Sequence, residues 1–277
     1  MGLRINTNVA ALQAQSSVGK VARETADSFS KLSSGSRINK SADDAAGLAI
    51  SEKLKSEIRS SQQANRNAND GISMVQVAEG GLNETSNILT RMRELAIQAS
   101  SDTVGDVERG MSNLEYQALK SEMERISQVT QFNGKKLLNG SGERLEFQIG
   151  TGGSEFENRI GFEPEHINAG LEALTMDSVE VGTKEGAQES LANVDFAIEK
   201  ISSQRAVLGS LQNRLTSTSN NLSTFTENMS AANSRIRDTD YAEETAKQAR
   251  NSIISAASTS VLSQANMNGQ NALKLIG

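Results

Sequence analysis

The chain of 277 residues has no cysteine and no tryptophan, one proline, one histidine and two tyrosines. Without cysteine, disulfides, thiolate catalysis and thiolate metal sites are excluded. A Ser-His-Asp arrangement would have to use His166, which lies two residues past Pro164 in a polar stretch and reads as an exposed, inert side chain. Aromatic residues make up 3% of the chain, and aromatic side chains dominate thick globular cores. No apolar run approaches the ~18 residues of a membrane span. The formal net charge is −6 with no basic block, so neither nucleic acid nor membrane insertion is expected. The first residues lack the charged-then-apolar layout of a cleavable leader. Asn6 stands where myristoylation would need Ser or Thr. A protein exported without a cleaved leader has the same appearance.

What is abundant is Ala, Ser, Asn, Gln and Leu, which suits thin helical bundles. Apolar residues recur every seventh position at Val194, Ile201, Leu208, Leu215, Leu222, Met229 and Ile236. A strict repeat of this length specifies one straight helix with a narrow seam. At ~1.5 Å per residue, Leu191 to Ile236 gives a rod on the order of 70 Å. The seats four residues on from each of these begin apolar, at Ile198, and turn polar at Arg205, Gln212, Ser219, Thr226 and Asn233. Polar seats of this kind set register through hydrogen bonds or face another subunit.

The ends of the chain carry weaker stripes. Ala11, Ala14, Val18, Val21, Thr25, Ser28 and Leu32 are small or β-branched seats, and a helix built on them needs a partner to be stable. At the other end Ala249, Ile253, Ala256 and Val261 form an incomplete stripe on a helix beginning near Asp240. Two incomplete helices at opposite ends pair most simply with each other and with neighbouring copies, as in a self-assembling subunit.

Between them, a helix is expected from Ser41, with Ser41 and Asp44 as a capping box and seats at Leu82, Thr85, Leu89, Met92, Ala96 and Ala99. Gly71, Gly80 and Gly81 cost helix propensity, pointing to a kink or a close approach. A third helix is expected with Val107, Met111, Leu114 and Ala118, then Leu119, Met123 and Ile126, as its apolar seats. Asn133-Gly134 and Asn139-Gly140 mark tight turns. The alternation at Leu145, Phe147 and Ile149, followed by Phe156 and Ile160, reads as a β-hairpin. Gly150-Thr-Gly-Gly is its turn rather than a phosphate cradle, because no lysine-bearing pattern follows. Pro164 to Lys184 has no period and reads as loop with short elements. The fold class is therefore mainly α: an elongated multi-helix bundle or coiled coil with a small β-hairpin and paired N- and C-terminal helices. No cofactor or metal site and no enzymatic constellation emerge.

Several words resemble those of the bacterial flagellins. They are Lys31-Leu-Ser-Ser-Gly-Ser-Arg-Ile-Asn39, Asp43-Asp-Ala-Ala-Gly-Leu-Ala-Ile50, Ala68-Asn-Asp-Gly-Ile-Ser73, Arg91-Met-Arg-Glu-Leu-Ala96, Thr130-Gln-Phe-Asn-Gly134, Leu208-Gly-Ser-Leu-Gln-Asn-Arg214, Ser234-Arg-Ile-Arg-Asp238 and Leu262-Ser-Gln-Ala-Asn266, with Ile5-Asn-Thr-Asn8 ahead of them. The resemblance implies a non-enzymatic subunit of the flagellar filament, of minimal form. Residues 1–42 with 237–277 would form the inner terminal domain, and 43–236 the next domain outward, with no outer domain. It also implies an extracellular location, reached by passing unfolded through the flagellar type III export channel. Its implied partners are the chain itself, an export chaperone at the C-terminal helix, and hook-associated and cap proteins. Toll-like receptor 5 of animal hosts is a further implied partner, contacting Arg91, Leu95 and Glu115. A hook–filament junction protein is the alternative reading. The family's usual proline before Gln270 is replaced by Gly269, which puts helix continuity at that point in question.

Overall fold

The computed structural model describes residues 7–274. Residues 1–6, with the start of the Ile5–Asn8 word, and residues 275–277 lie outside the described residues. The elements in order are α1 (Val9–Ser34), α2 (Ala45–Ser100), α3 (Asp106–Val129), β1 (Gln131–Phe132), β2 (Lys135–Lys136), β3 (Leu145–Gln148), α4 (Glu155–Asn158), β4 (Arg159–Phe162), α5 (Lys184–Arg237) and α6 (Tyr241–Lys274). The chain is mainly α with two small antiparallel hairpins, β1–β2 and β3–β4. It separates into a terminal unit, Met1–Ser56 with Asn228–Gly277, and a central unit, Glu57–Glu227. Those divisions fall inside α2, between Ser56 and Glu57, and inside α5, between Glu227 and Asn228.

In the terminal unit α1 pairs with α6. Asn8 caps α1, its side chain accepting from Ala11 N–H, and its amide donates to the Ala265 carbonyl at 2.8 Å. At the other end α1 stops at Gly35, whose φ of +67° is the left-handed cap glycine tolerates. The link to α2 is pinned by Ile38, which is fully buried, and by Asp43, whose carboxylate accepts the N–H groups of Asn39 and Lys40. The expected capping box does not form. Asp44 is itself the cap, accepting from Gly47 N–H at 2.8 Å, so α2 begins at Ala45. The Arg37 guanidinium donates to the Ile236 carbonyl at the end of α5, Tyr241 Oη donates to the Leu32 carbonyl, and Arg237 pairs with Glu52.

In the central unit α2 and α5 are antiparallel, since Arg93 meets Asp195 while Asn65 meets Ser219. Each buries a stripe spaced alternately three and four residues, as knobs-into-holes packing demands. On α2 the stripe runs from Ser61 and Ala64 through Leu82, Thr85, Leu89 and Met92 to Ala99. On α5 it is Ala187, Ser190, Val194, Ala197, Ile201, Gln204, Leu208, Leu211 and Leu215. The second set of buried seats therefore lies three residues on from the seven-residue repeat. The polar seats expected four residues on are at most half-buried.

Two of the three inner glycines of α2, Gly71 and Gly81, mark close approaches and no break. A Cβ on Gly71 would lie 3.2 Å from the Phe147 ring and 3.3 Å from Leu215 Cδ1, and one on Gly81 would lie 2.6 Å from Leu138 Cδ1. Both hairpins thus lie directly on α2. The segment from Pro164 to Val181 is irregular yet inserts Ile167, Ala169, Leu174, Met176, Val179 and Val181 into the core. It is a packed cover, which the absence of a period hid.

Over its first half helix α3 presents the opposite face to the one expected, whereas Met123 is buried and Leu119 packs against the core as expected. Val107, Met111 and Leu114 point outward, while Arg109, Tyr116, Lys120, Met123 and Ser127 point inward. The inward cations are matched. Arg109 donates to the carbonyls of Ala99 and Ser101 and to Asp106, and Lys120 donates to the Asp177 carbonyl. A long aliphatic stem lets these side chains fill a core position while the head group reaches backbone oxygen.

Candidate functional site

No group of three or more His, Cys, Asp or Glu side chains able to hold a metal exists among the described residues. Among them, too, no helix is long and apolar enough to cross a membrane. His166 is exposed and faces only Glu163. The surfaces that remain as candidates are helix faces.

On α1 the seam toward α6 uses Ala14, Val21, Ser28 and Leu32, which are buried, with Ala11 and Val18 half-buried beside them. On α6 the side facing α1 is polar over Glu244, Gln248, Asn251, Ser255 and Ser258, and turns apolar only at Leu262 and Ala265. The stripe expected there is elsewhere. Ala249, Ile253, Ala256 and Val261 are all exposed, Ile253 at 71%. A stripe chosen for its apolar side chains selected the outer face, because the inner one is built from Asn, Gln and Ser. Leu12 and Phe29 are exposed on α1 as well. The Ser28 hydroxyl, then Lys247 and Lys31, hold the Glu244 carboxyl below the ordinary carboxylate range. The N–H groups of Lys40 and Asn39 do the same for Asp43.

Along α5, Val194, Ile201, Leu208 and Leu215 are fully buried, whereas Leu222, Met229 and Ile236 are half-buried. In the central unit the β3 side chain Phe147 sits over α2 opposite Leu215. Past that point hydrogen bonds take over: Ser219 Oγ donates to Asn65 Oδ1 at 2.6 Å and Asn65 donates to Ser223. In the terminal unit Ser51 donates to Asn233 at 2.8 Å. Ser219 and Asn233 are two of the polar seats from which a register role was expected.

The charged face is ordered by ion pairs. Arg91 donates to Glu115 and to Glu94, both at 2.9 Å, and these carboxylates raise its guanidinium further above its ordinary value. Arg93 donates to Asp195 at 2.7 Å. Leu95 is not on this face. It is 2% exposed and belongs to the core cluster.

The sequence reading missed one other side chain. Phe156 was expected within the hairpin alternation. It lies on α4, between the strands, and is 96% exposed.

Two family models match this chain: the bacterial flagellin N-terminal helical region over residues 5–143, and the bacterial flagellin C-terminal helical region over residues 191–276. The chain belongs to the bacterial flagellin family. It is 40% identical to a flagellin of Halalkalibacterium halodurans over 98% of this chain and 99% of that one. It is 38% identical to a flagellin of Bacillus subtilis over 99% and 100%. It is 39% identical to the flagellar filament 31.3 kDa core protein of Treponema maltophilum over 98% and 99%. The crystal structure of Bacillus cereus flagellin is similar at a TM-score of 0.51 and 30% identity, over 61% of this chain and 94% of that one. This flagellin is a structural filament subunit of minimal form. Nothing in these relatives favours a hook–filament junction protein. The stretch between the two family models holds β3, α4, β4 and the packed cover, so it completes the central unit's core. Helix α6 is continuous past Gly269, where the missing proline had put continuity in question, and runs to Lys274.

Proposed function

We infer that copies of this flagellin join in the extracellular filament through the outer faces of the α1/α6 pair. The observation that carries this is the inversion of α6: its apolar Ile253 and Val261 point away from α1, while Asn251 and Glu244 point toward it. A helix pair that hides polar groups and displays large apolar ones is suited to a polymer, where the displayed face is covered by neighbours. Residues 1–42 and 237–277 are the inner domain in this reading, and 43–236 the outward one. The same reading takes the subunit through the type III export channel unfolded. It gives the C-terminal helix to an export chaperone before assembly, and the ends of the polymer to hook-associated and cap proteins. Absence of cysteine and the single proline suit a chain that refolds after transit. Recognition by Toll-like receptor 5 falls on Arg91 and Glu115, with Leu95 in the core.

The test is growth from sheared filament seeds, followed by light scattering and negative-stain microscopy. Wild-type protein is expected to extend seeds into filaments of uniform diameter. Ile253→Asp combined with Val261→Asp should leave the monomer helical and stop growth. Undiminished growth by that variant would reject the outer face of α6 as the joint.

A further inference from the structure

The irregular cover of the central unit, Pro164 to Val181, is fastened to the helices through its own backbone. On α3 the fasteners are Glu124, Lys120, Gln117 and Asn113. Glu124 Oε2 accepts the Leu171 N–H at 3.0 Å, and Lys120 donates to the Asp177 carbonyl. Gln117 donates to the Val179 carbonyl at 3.4 Å, and Asn113 Oδ1 accepts the Val181 N–H at 3.1 Å. Positions alternately four and three residues apart share one face of a helix, so the cover runs antiparallel along a single face of α3. On α5, one turn apart, Lys200 donates to the Ala173 carbonyl at 2.7 Å and Gln204 to the Asn168 carbonyl at 3.0 Å. Backbone outside helix and sheet has to find its partners in this way. Leu174, Met176 and Val181 are fully buried and plug the cover into the core.

Two features of the closed cover are unfavourable. The first is Thr175, at φ +57°. Its N–H bonds to the Glu172 carbonyl at 3.2 Å, and the Met176 N–H bonds to the Leu171 carbonyl at 2.9 Å. That pair of bonds closes a helical turn and places Thr175 at the left-handed position that glycine or asparagine normally fills. A β-branched side chain is strained there. Its hydroxyl gains only a bond to the adjacent Leu174 carbonyl, at 2.7 Å. The second feature lies under the cover. Ser127 Oγ and Gln204 Oε1 are buried with no hydrogen-bond partner among the described residues. Ser127 Oγ is 3.8 Å from where a Cβ on Gly170 would stand, and Gln204 is the residue whose amide nitrogen holds Asn168. A dry, unpartnered oxygen costs free energy that contact with water returns.

We propose that the cover from Asn168 to Val181 is a strap that opens as one piece while α2, α3 and α5 stay helical. Opening hands the fastened backbone groups to water, lets Thr175 return to negative φ and wets Ser127 and Gln204. The buried plugs hold the strap shut, and the strained threonine and the dry oxygens lower the cost of lifting it. The central unit thereby has an opening step of its own, ahead of global unfolding. This device is independent of how copies of the chain join.

The experiment is native-state amide exchange on the full-length monomer, read residue by residue by NMR across a series of low urea concentrations. The amides of Leu174, Met176 and Val181 are expected to exchange together, faster than those of Leu89 and Leu208 and with a weaker dependence on urea. Thr175→Gly and Thr175→Asn both accept positive φ, and each should slow exchange of the strap amides about tenfold. Lys120→Met keeps the aliphatic stem and removes a fastener, so it should speed their exchange about tenfold with unchanged helicity by circular dichroism. Ser127→Ala removes an unpartnered oxygen and should slow exchange rather than speed it. Strap amides that exchange at the rate and urea dependence of Leu208 would mean that the cover leaves only with the whole unit, and would overturn the proposal. Unchanged or faster exchange in both Thr175 variants would overturn it too.

Discussion

Adjacent glycines on α2 give a sharp test of how the hairpins sit on that helix. Gly80 and Gly81 occupy consecutive positions in the same unbroken helix, so replacing either with Ala gains the same propensity, roughly 1 kcal/mol. Their surroundings differ. A Cβ on Gly80 has nothing within 4 Å. A Cβ on Gly81 would stand 2.6 Å from Leu138 Cδ1, 2.9 Å from Thr130 Oγ1 and 3.2 Å from Thr130 Cγ2. Leu138 is fully buried, so its methyl has nowhere open to turn. Thr130 is β-branched, and its hydroxyl already donates to the Ile126 carbonyl at 2.8 Å. Neither can yield without disturbing the turn from α3 into β1.

Overpacking of this kind costs about 1–3 kcal/mol, which equals or exceeds the propensity gain. Gly80→Ala is therefore expected to stabilise the central unit by about 0.5–1 kcal/mol. Gly81→Ala should be neutral to destabilising by about 2 kcal/mol, once overpacking is set against propensity. The assay is urea and thermal unfolding of the monomer, followed at 222 nm because the chain has no tryptophan. For a unit of this size each kcal/mol moves the midpoint by about 2–4 °C, so the two variants should separate by several degrees in opposite directions. Equal stabilisation by both would refute the close approach of α2 to the β1–β2 turn.

Leu208→Ala, at the centre of the buried α5 stripe, should cost about 2–5 kcal/mol. Leu222→Ala, at a half-buried seat of the same repeat, should cost clearly less in the same urea titration. Arg109→Met keeps the aliphatic stem but leaves the Ala99 and Ser101 carbonyls without their donor. A loss of about 1–3 kcal/mol is expected, with faster amide exchange at the α2–α3 turn. Glu244 and Asp43 have folded pKa values below their ordinary 4.5 and 3.8. Their contribution is thus complete above those values and is lost as pH falls through the lower folded ones. Acid titration followed by circular dichroism should therefore show the terminal unit loosening below about pH 4.5, and Glu244→Gln should make that loss shallower.

Legibility in the sequence followed the chemistry of each seam. Where the buried seats are large and apolar, as at Val194, Ile201, Leu208 and Leu215, periodicity alone located the helix and its inward face. The partner seats Ser190, Ala197 and Gln204 escaped because a small or polar residue has no hydrophobic signature, and the same is true of Ser61, Ala64 and Ala68 on α2. The cover from Pro164 to Val181 escaped for another reason: its apolar residues enter the core from irregular backbone, with neither period to announce them. Of the three residues on which the resemblance puts a receptor contact, Arg91 and Glu115 lie on the surface. Leu95 lies in the core, and a motif carries spacing and says nothing of which way a side chain points.

The two helices read backwards share a physical cause. In α3 the seats taken as core are Val107, Met111 and Leu114, yet Arg109, Tyr116 and Lys120 occupy it. In α6 the seats taken as seam are Ile253 and Val261, yet Asn251 and Glu244 occupy it. A monomer that minimised its own exposed apolar area would turn both helices over. Neither turns, because the inward charged groups are matched: Arg109 and Lys120 by backbone carbonyls, and Glu244 by the Ser28 hydroxyl and two lysines. Burying an unmatched cation would cost several kcal/mol, so this matching permits the inversion, and the inversion leaves apolar area on the outside. That area is a liability for an isolated subunit and a driving force for one surrounded by copies. Helices whose hydrophobic pattern disagrees with their intrachain packing are thus the ones to examine for joints. The disagreement falls here on α6 of the terminal unit and on α3 of the central unit.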